Sequence, residues 1–110
     1  MGEQRIRFRD LKPYERVDAL EDLQGPDSGA VTLPVTVYWS GRRDTFDVGD
    51  PRDRRTVYQA ALSNGRRDHI EHLVNRELLV QDWPRLALER RIVDLWTQAF
   101  PELAARGREF

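Results

Sequence analysis

The sequence predicts a small α+β domain in which a β-hairpin packs against four or five short helices, and three observations lead there. Val31, Leu33, Val35, Val37 and Trp39 occupy every second position, the period of a strand with one apolar face. Asp50-Pro51-Arg52-Asp53 reads as a helix start: a capping carboxylate, proline at the first helical position and an acid near the positive end of the helix dipole. Beyond it, apolar residues recur at intervals of three and four with no further alternation, which is helical spacing.

Taken in order, Arg5-Ile6-Arg7-Phe8-Arg9 alternates cation and apolar residue. This suits an edge strand or an arm laid on a partner, and residues 1–10 equally read as a loose terminus. Pro13 to Leu23 predicts a short helix with Tyr14, Val17, Leu20 and Leu23 on one side, stopped by Gly25-Pro26. Gly25 to Ala30 is a loop. The strand from Val31 to Trp39 leads into a turn at Ser40-Gly41-Arg42-Arg43, and Phe46 and Val48 return antiparallel. In this register Trp39 faces the core. Tyr38 lies on the opposite face beside Arg42 and Arg43, and Pro34 marks an edge strand.

A helix from Pro51 to about Ser63 buries Val57, Tyr58, Ala61 and Leu62 and closes at Asn64-Gly65. A second from about Arg67 to Val74 turns Ile70, Leu73 and Val74 inward and ends at Asn75. Arg76 to Trp83 has an apolar run compatible with a strand, but strong helix formers favour a third helix, interrupted by Pro84. In the last helix Leu88, Ile92, Leu95, Trp96 and Ala99 follow the 3.6-residue period up to Phe100-Pro101. Glu102 to Phe110, above all 104–110, reads as a frayed tail. The whole chain, 1–110, is one domain.

Composition narrows the function. With no cysteine there is neither a disulfide framework nor a thiol nucleophile. No apolar run is long enough to span a bilayer, and no signal core follows Met1-Gly2, so a cytoplasmic protein is expected. Eighteen basic and nineteen acidic residues nearly cancel and are interleaved, whereas phosphate binding calls for a basic face. Lys12 is the only lysine. GC-rich codons produce that arginine bias, but arginine is also enriched at protein interfaces.

Candidate chemistry is sparse. His69 and His72, three apart and flanked by Asp68 and Glu71, could share a metal ion, but no third or fourth ligand is evident. Asp44, Asp47, Asp50 and Asp53 recur every third residue and could hold Mg²⁺, yet turn, cap and dipole roles account for them and neighbouring arginines neutralise them. Ser28, Ser40 and Ser63 sit at turns without a nucleophile elbow. The expectation is therefore no enzyme, no metal and no cofactor. The remaining candidate is a docking surface on the hairpin edge, Tyr38 with Arg42 and Arg43, joined by Arg5, Arg7 and Arg9.

Leu33-Pro34, Val37-Tyr38-Trp39-Ser40-Gly41, Phe46-Asp47, Asp50-Pro51 and Trp96 followed by Phe100-Pro101-Glu102-Leu103 form a combination that resembles a group of small actinobacterial proteins. That group accompanies nucleotidyltransferase-type toxins of the abortive-infection class. The resemblance spans roughly Leu20 to Leu103 and rests on a strand, a turn and a helix cap, so it carries fold better than activity and brings no functional residues with it. It implies an antitoxin that covers the acidic, metal-binding active site of such a toxin with the arginines of the hairpin. The alternative is a DNA-binding transcriptional regulator using a helix-turn-helix near 51–74, against which the near-zero net charge counts.

Overall fold

Local capping decides where the first long helix begins. Asp50, extended at φ −91° and ψ 122°, accepts the backbone N–H of Arg52 at 3.0 Å, and Pro51 supplies the first helical φ. Helix α1 then runs Pro51–Asn64 and buries Val57, Tyr58, Ala61 and Leu62 as its spacing requires. In the computed structural model, which describes residues 14–39 and 43–109, α1 is followed by α2 (Arg67–Leu73), α3 (Arg76–Asp82), a 3-10 turn at Trp83–Arg85, α4 (Arg90–Ala99) and α5 (Pro101–Arg106). Before α1 lies a two-stranded antiparallel hairpin, β1 (Ala30–Thr32) and β2 (Thr45–Asp47), with Val31 opposite Phe46. The architecture is α+β: one hairpin against five helices.

One apolar core joins the elements. Val17, Leu20 and Leu23 enter it from the N-terminal side, Leu33, Val37, Phe46 and Val48 from the hairpin, and Ile70, Leu79, Trp83, Ile92, Trp96 and Leu103 from the helices. At roughly 25 cal/mol per Å² of buried apolar surface, these side chains supply the main stabilising term.

Four expectations need correction. The strand expected from Val31 to Trp39 ends at Thr32. Leu33 still donates to the Asp44 carbonyl at 2.8 Å, but the Pro34 carbonyl then accepts the N–H groups of both Val37 (2.8 Å) and Tyr38 (3.0 Å). These local bonds curl the chain into a turn. Leu33 and Val37, four residues apart, share a side in a strand and in a helical turn alike, so both remain buried. Val35 and Trp39 share it only in a strand, and the turn sends them to solvent.

Of the helix expected from Pro13 to Leu23, Pro13 lies outside the described residues, and from Tyr14 onward only a 3-10 turn at Leu20–Asp22 forms. Its buried side is as anticipated, with Tyr14 half-buried. The Asp22 carboxylate, however, accepts the Ala19 N–H, and Gln24 and Gly25 donate to the carbonyls of Glu71 (2.8 Å) and Val74 (2.9 Å). The chain therefore extends across the α2–α3 junction. Gly25 is required there: a Cβ at this position would lie 2.5 Å from the backbone of Leu73 and Val74.

Asn75 does not end a helix but starts one. Its side chain accepts the Leu78 N–H at 3.1 Å, capping α3. Finally, the expected frayed tail is ordered through Glu109. Pro101 starts α5, Leu103 is fully buried, and Arg106 donates to the carbonyls of Val80 (2.9 Å) and Gln81 (3.1 Å), satisfying the end of α3. Arg108 lies over the Trp83 ring and donates to the carbonyls of Trp83 and Leu86.

Candidate protein-binding surface

The hairpin is fastened to α1 by Asp53 and by Arg43, an arginine expected to be free for a partner. Asp53, in the first turn of α1, accepts the Asp47 N–H at 3.0 Å and the guanidinium of Arg43 at 2.5 Å. The backbone donor first, then Arg43, hold its carboxyl below the usual carboxylate range. Arg43 also donates to the Thr45 carbonyl at 3.2 Å and stacks on the Phe46 ring, 4.4 Å from its centroid. Tyr38 packs edge-on against the same ring, with centroids 5.5 Å apart. Of the six residues expected to dock a partner, Tyr38 and Arg43 are thus engaged within the hairpin, while Arg5, Arg7, Arg9 and Arg42 lie outside the described residues.

Trp39 takes the place that Tyr38 was expected to hold. It is 63% exposed and Val35 is 72% exposed, the large hydrophobic side chains that stand in solvent among the described residues. Trp39 borders a recess of about 410 Å³ shared with Glu15, Thr36, Ser63, Asn64, Gly65 and Arg66. Asn64, at the end of α1, fixes one wall by donating to the Val37 carbonyl at 3.0 Å. At Gly65 a Cβ would come 2.7 Å from the Ala61 carbonyl, so the chain turns tightly where α1 ends. An exposed indole beside a recess with a polar rim has the composition of an interface anchor.

The other candidates resolve into structural roles. His69 Nδ1 accepts the Arg66 N–H at 3.1 Å and His72 Nδ1 donates to the Asp68 carbonyl at 2.7 Å, so each ring serves its own helix. Asp44 accepts from the Thr45 hydroxyl, Asp47 from the Gly49 N–H, Asp50 from Arg52 and Asp53 from Asp47. The four carboxylates turn to separate local donors. Among the described residues no three or more acidic or histidine side chains gather as a metal site. The surface of α2 mixes Arg66 and Arg67 with Asp68 and Glu71, and Arg67 pairs with Asp18 at 3.2 Å. This is not the continuous basic face that phosphate contacts use.

One polar pair was missed altogether. Arg54 and Asp82 are both buried, and the guanidinium grips the carboxylate with Nε at 2.7 Å and Nη2 at 3.2 Å, while Nη1 donates to the Val48 carbonyl at 3.1 Å. The hydrogen bond with Asp82 raises the Arg54 pKa. A sign was present in the sequence: Arg54 stands three, four and seven residues before Val57, Tyr58 and Ala61, on the apolar stripe of α1. The pair ties the end of β2, through the Val48 carbonyl, to α1 and α3. No helix among the described residues is long and apolar enough to cross a membrane. Compared with protein-family models, curated proteins and solved structures, the chain matches none.

Proposed function

We propose that this chain is a protein-binding module whose contact surface is the Val35–Trp39 end of the hairpin, and that its partner is a nucleotidyltransferase-type toxin which it blocks. The observation that carries the binding reading is the outward placement of Val35 and Trp39 over a core that buries Leu33, Val37, Phe46 and Val48 and packs Val31 and Tyr38 against it. Leaving an indole in water forgoes the burial free energy of a large ring, which a partner restores. The toxin enters through the family resemblance.

Blocking then works by steric cover. Arg43 is committed to Asp53 and the Phe46 ring, so the hairpin contributes shape and apolar area rather than that arginine's charge. Co-expression with such a toxin is the test. Wild-type chain rescues growth and co-purifies, whereas Trp39→Ala, folded to the same thermal midpoint, loses both. Rescue that survives the substitution removes this surface from the account. The DNA-binding alternative predicts salt-sensitive duplex binding, a measurement independent of Trp39.

A further inference from the structure

The two edges of the hairpin differ. In an antiparallel pair, residues alternate between those bonded to the opposite strand and those whose N–H and C=O point away from it. Leu33 donates to Asp44 and Val48 donates to Gly29, so with Val31 opposite Phe46 the bonded pairs are 29/48, 31/46 and 33/44. The outward groups therefore belong to Ala30 and Thr32 on β1, and to Thr45 and Asp47 on β2. On β2 three of the four are engaged: the Asp47 N–H donates to Asp53, the Asp47 carbonyl accepts the Asp50 N–H and the Thr45 carbonyl accepts from Arg43. On β1, among the described residues, the outward groups of Ala30 and Thr32 have no partner. Both residues are exposed, and Val31 between them is half-buried.

Charge sets what this open edge would accept. Asp47 faces Ala30 across the strands on the solvent side, and Asp27 stands just before β1. Among the described residues neither carboxylate is in an ion pair; Asp47 accepts from the Gly49 N–H, and Asp27 from the Ser28 hydroxyl. The only cation on the described strands and turn of the hairpin is Arg43, already paired with Asp53. Strands in a sheet lie about 4.8 Å apart, so a strand added beside β1 would sit roughly two spacings from Asp47. Ala30 between them is small enough for a long cationic side chain to lie over it and reach that carboxylate. The alternate residues of the added strand would cover the exposed part of Val31.

The geometry points to β1 as a strand-addition site for an extended segment of a protein partner in which basic and apolar residues alternate. This deepens the binding reading, on which it rests: the partner segment pairs with Ala30 and Thr32 and continues toward Val35 and Trp39, beyond the end of β1.

The probe is a capped heptapeptide alternating lysine and valine, with a glutamate–valine peptide as control, added to the full chain while amide exchange is followed by NMR. The lysine–valine peptide slows exchange at Ala30 and Thr32 by about tenfold or more, and the control does not. Thr32→Pro abolishes the effect with the fold intact, because the lost N–H points away from β2 and proline is tolerated at such a position. Asp47→Asn, which keeps an acceptor for Gly49, weakens binding by up to about fivefold.

Four results would each overturn the assignment: no protection at millimolar peptide, equal protection by the acidic control, undiminished binding in Thr32→Pro and Asp47→Asn, or amides at Ala30 and Thr32 that already exchange slowly and are released when residues 1–13 are removed. The last would mean that the chain's own alternating segment, Arg5 to Arg9, holds the edge. A partner lost by Trp39→Ala but kept by Thr32→Pro refutes strand addition and leaves the binding surface standing. Peptide protection without any cellular partner does the reverse.

Discussion

Replacing Asp82 by alanine leaves the Arg54 guanidinium buried against the Val48 carbonyl alone. Arg54 is 6% exposed and Asp82 2%, so the stranded cation cannot regain water without moving α3 or the hairpin. Two charge-assisted hydrogen bonds are lost, each worth about 1.5–3 kcal/mol, and breaking one side of a buried ion pair costs about 3–5 kcal/mol. Against a total stability on the order of 5–15 kcal/mol, that is a large fraction. For a domain of this size it lowers the thermal midpoint by about 12–20 °C. Urea unfolding followed by far-UV circular dichroism, with the slope checked between variants, gives the number. The double substitution Arg54→Met with Asp82→Leu removes both charges and leaves only the Val48 carbonyl without its donor, about 1–3 kcal/mol. It should therefore be more stable than Asp82→Ala. A cost below about 1 kcal/mol for Asp82→Ala would refute the argument, since it would mean the pair is solvated and does not join the elements.

Three further outcomes follow from the same packing. Burial pushes the Tyr58 hydroxyl up to about 12 from 10.0, partly offset by the Asn75 N–H that it accepts. A raised folded value means the stabilisation is intact below about pH 10 and is lost as pH rises toward 12, by about 3 kcal/mol in all; alkaline unfolding in that window, absent from Tyr58→Phe, checks it. Gly25→Ala drives a methyl into the backbone of Leu73 and Val74 and should cost about 1–3 kcal/mol or more, read by the same urea curves. Asp53 has a lowered pKa, so its support of the hairpin is present above the ordinary carboxylate range and disappears as pH falls through its folded value. Carbon-detected NMR titration should show its carboxyl protonating only below the ordinary carboxylate range, with the Asp47 amide shifting in step.

Helix α1 was legible because its signals are local: Asp50 and Pro51 at one end, Asn64-Gly65 at the other, and an apolar stripe between. The alternation of Val31 to Trp39 misled because a strand and a tight turn bury the same pair, Leu33 and Val37. Which one forms depends on the two bonds to the Pro34 carbonyl, and no residue type announces them. The consequence fell on the site: the indole and the phenol exchanged roles, Trp39 going to solvent and Tyr38 to Phe46. The N-terminal segment kept its buried face but not its helix, because Gln24 and Gly25 bond to residues about fifty positions away. The tail was misread for the same reason. Its order comes from Leu103, Arg106 and Arg108 meeting α3 and the turn after it, contacts that span more than twenty residues. Arg54 was the one distant interaction with a sequence sign, an ion on an apolar stripe, and Asp82 was its unannounced half.

On the proposed function, Trp39 stands outside the core because another protein covers it. The most direct measurement is side-by-side affinity capture, from the native host at native level, of the wild-type chain and of Trp39→Ala matched for thermal midpoint. One stoichiometric companion is expected on the wild type, absent from the variant, with quenching or a blue shift of Trp39 fluorescence when the purified companion is added back. Equal recovery of the companion by both chains, or a Trp39 emission that the companion leaves unchanged, would contradict it.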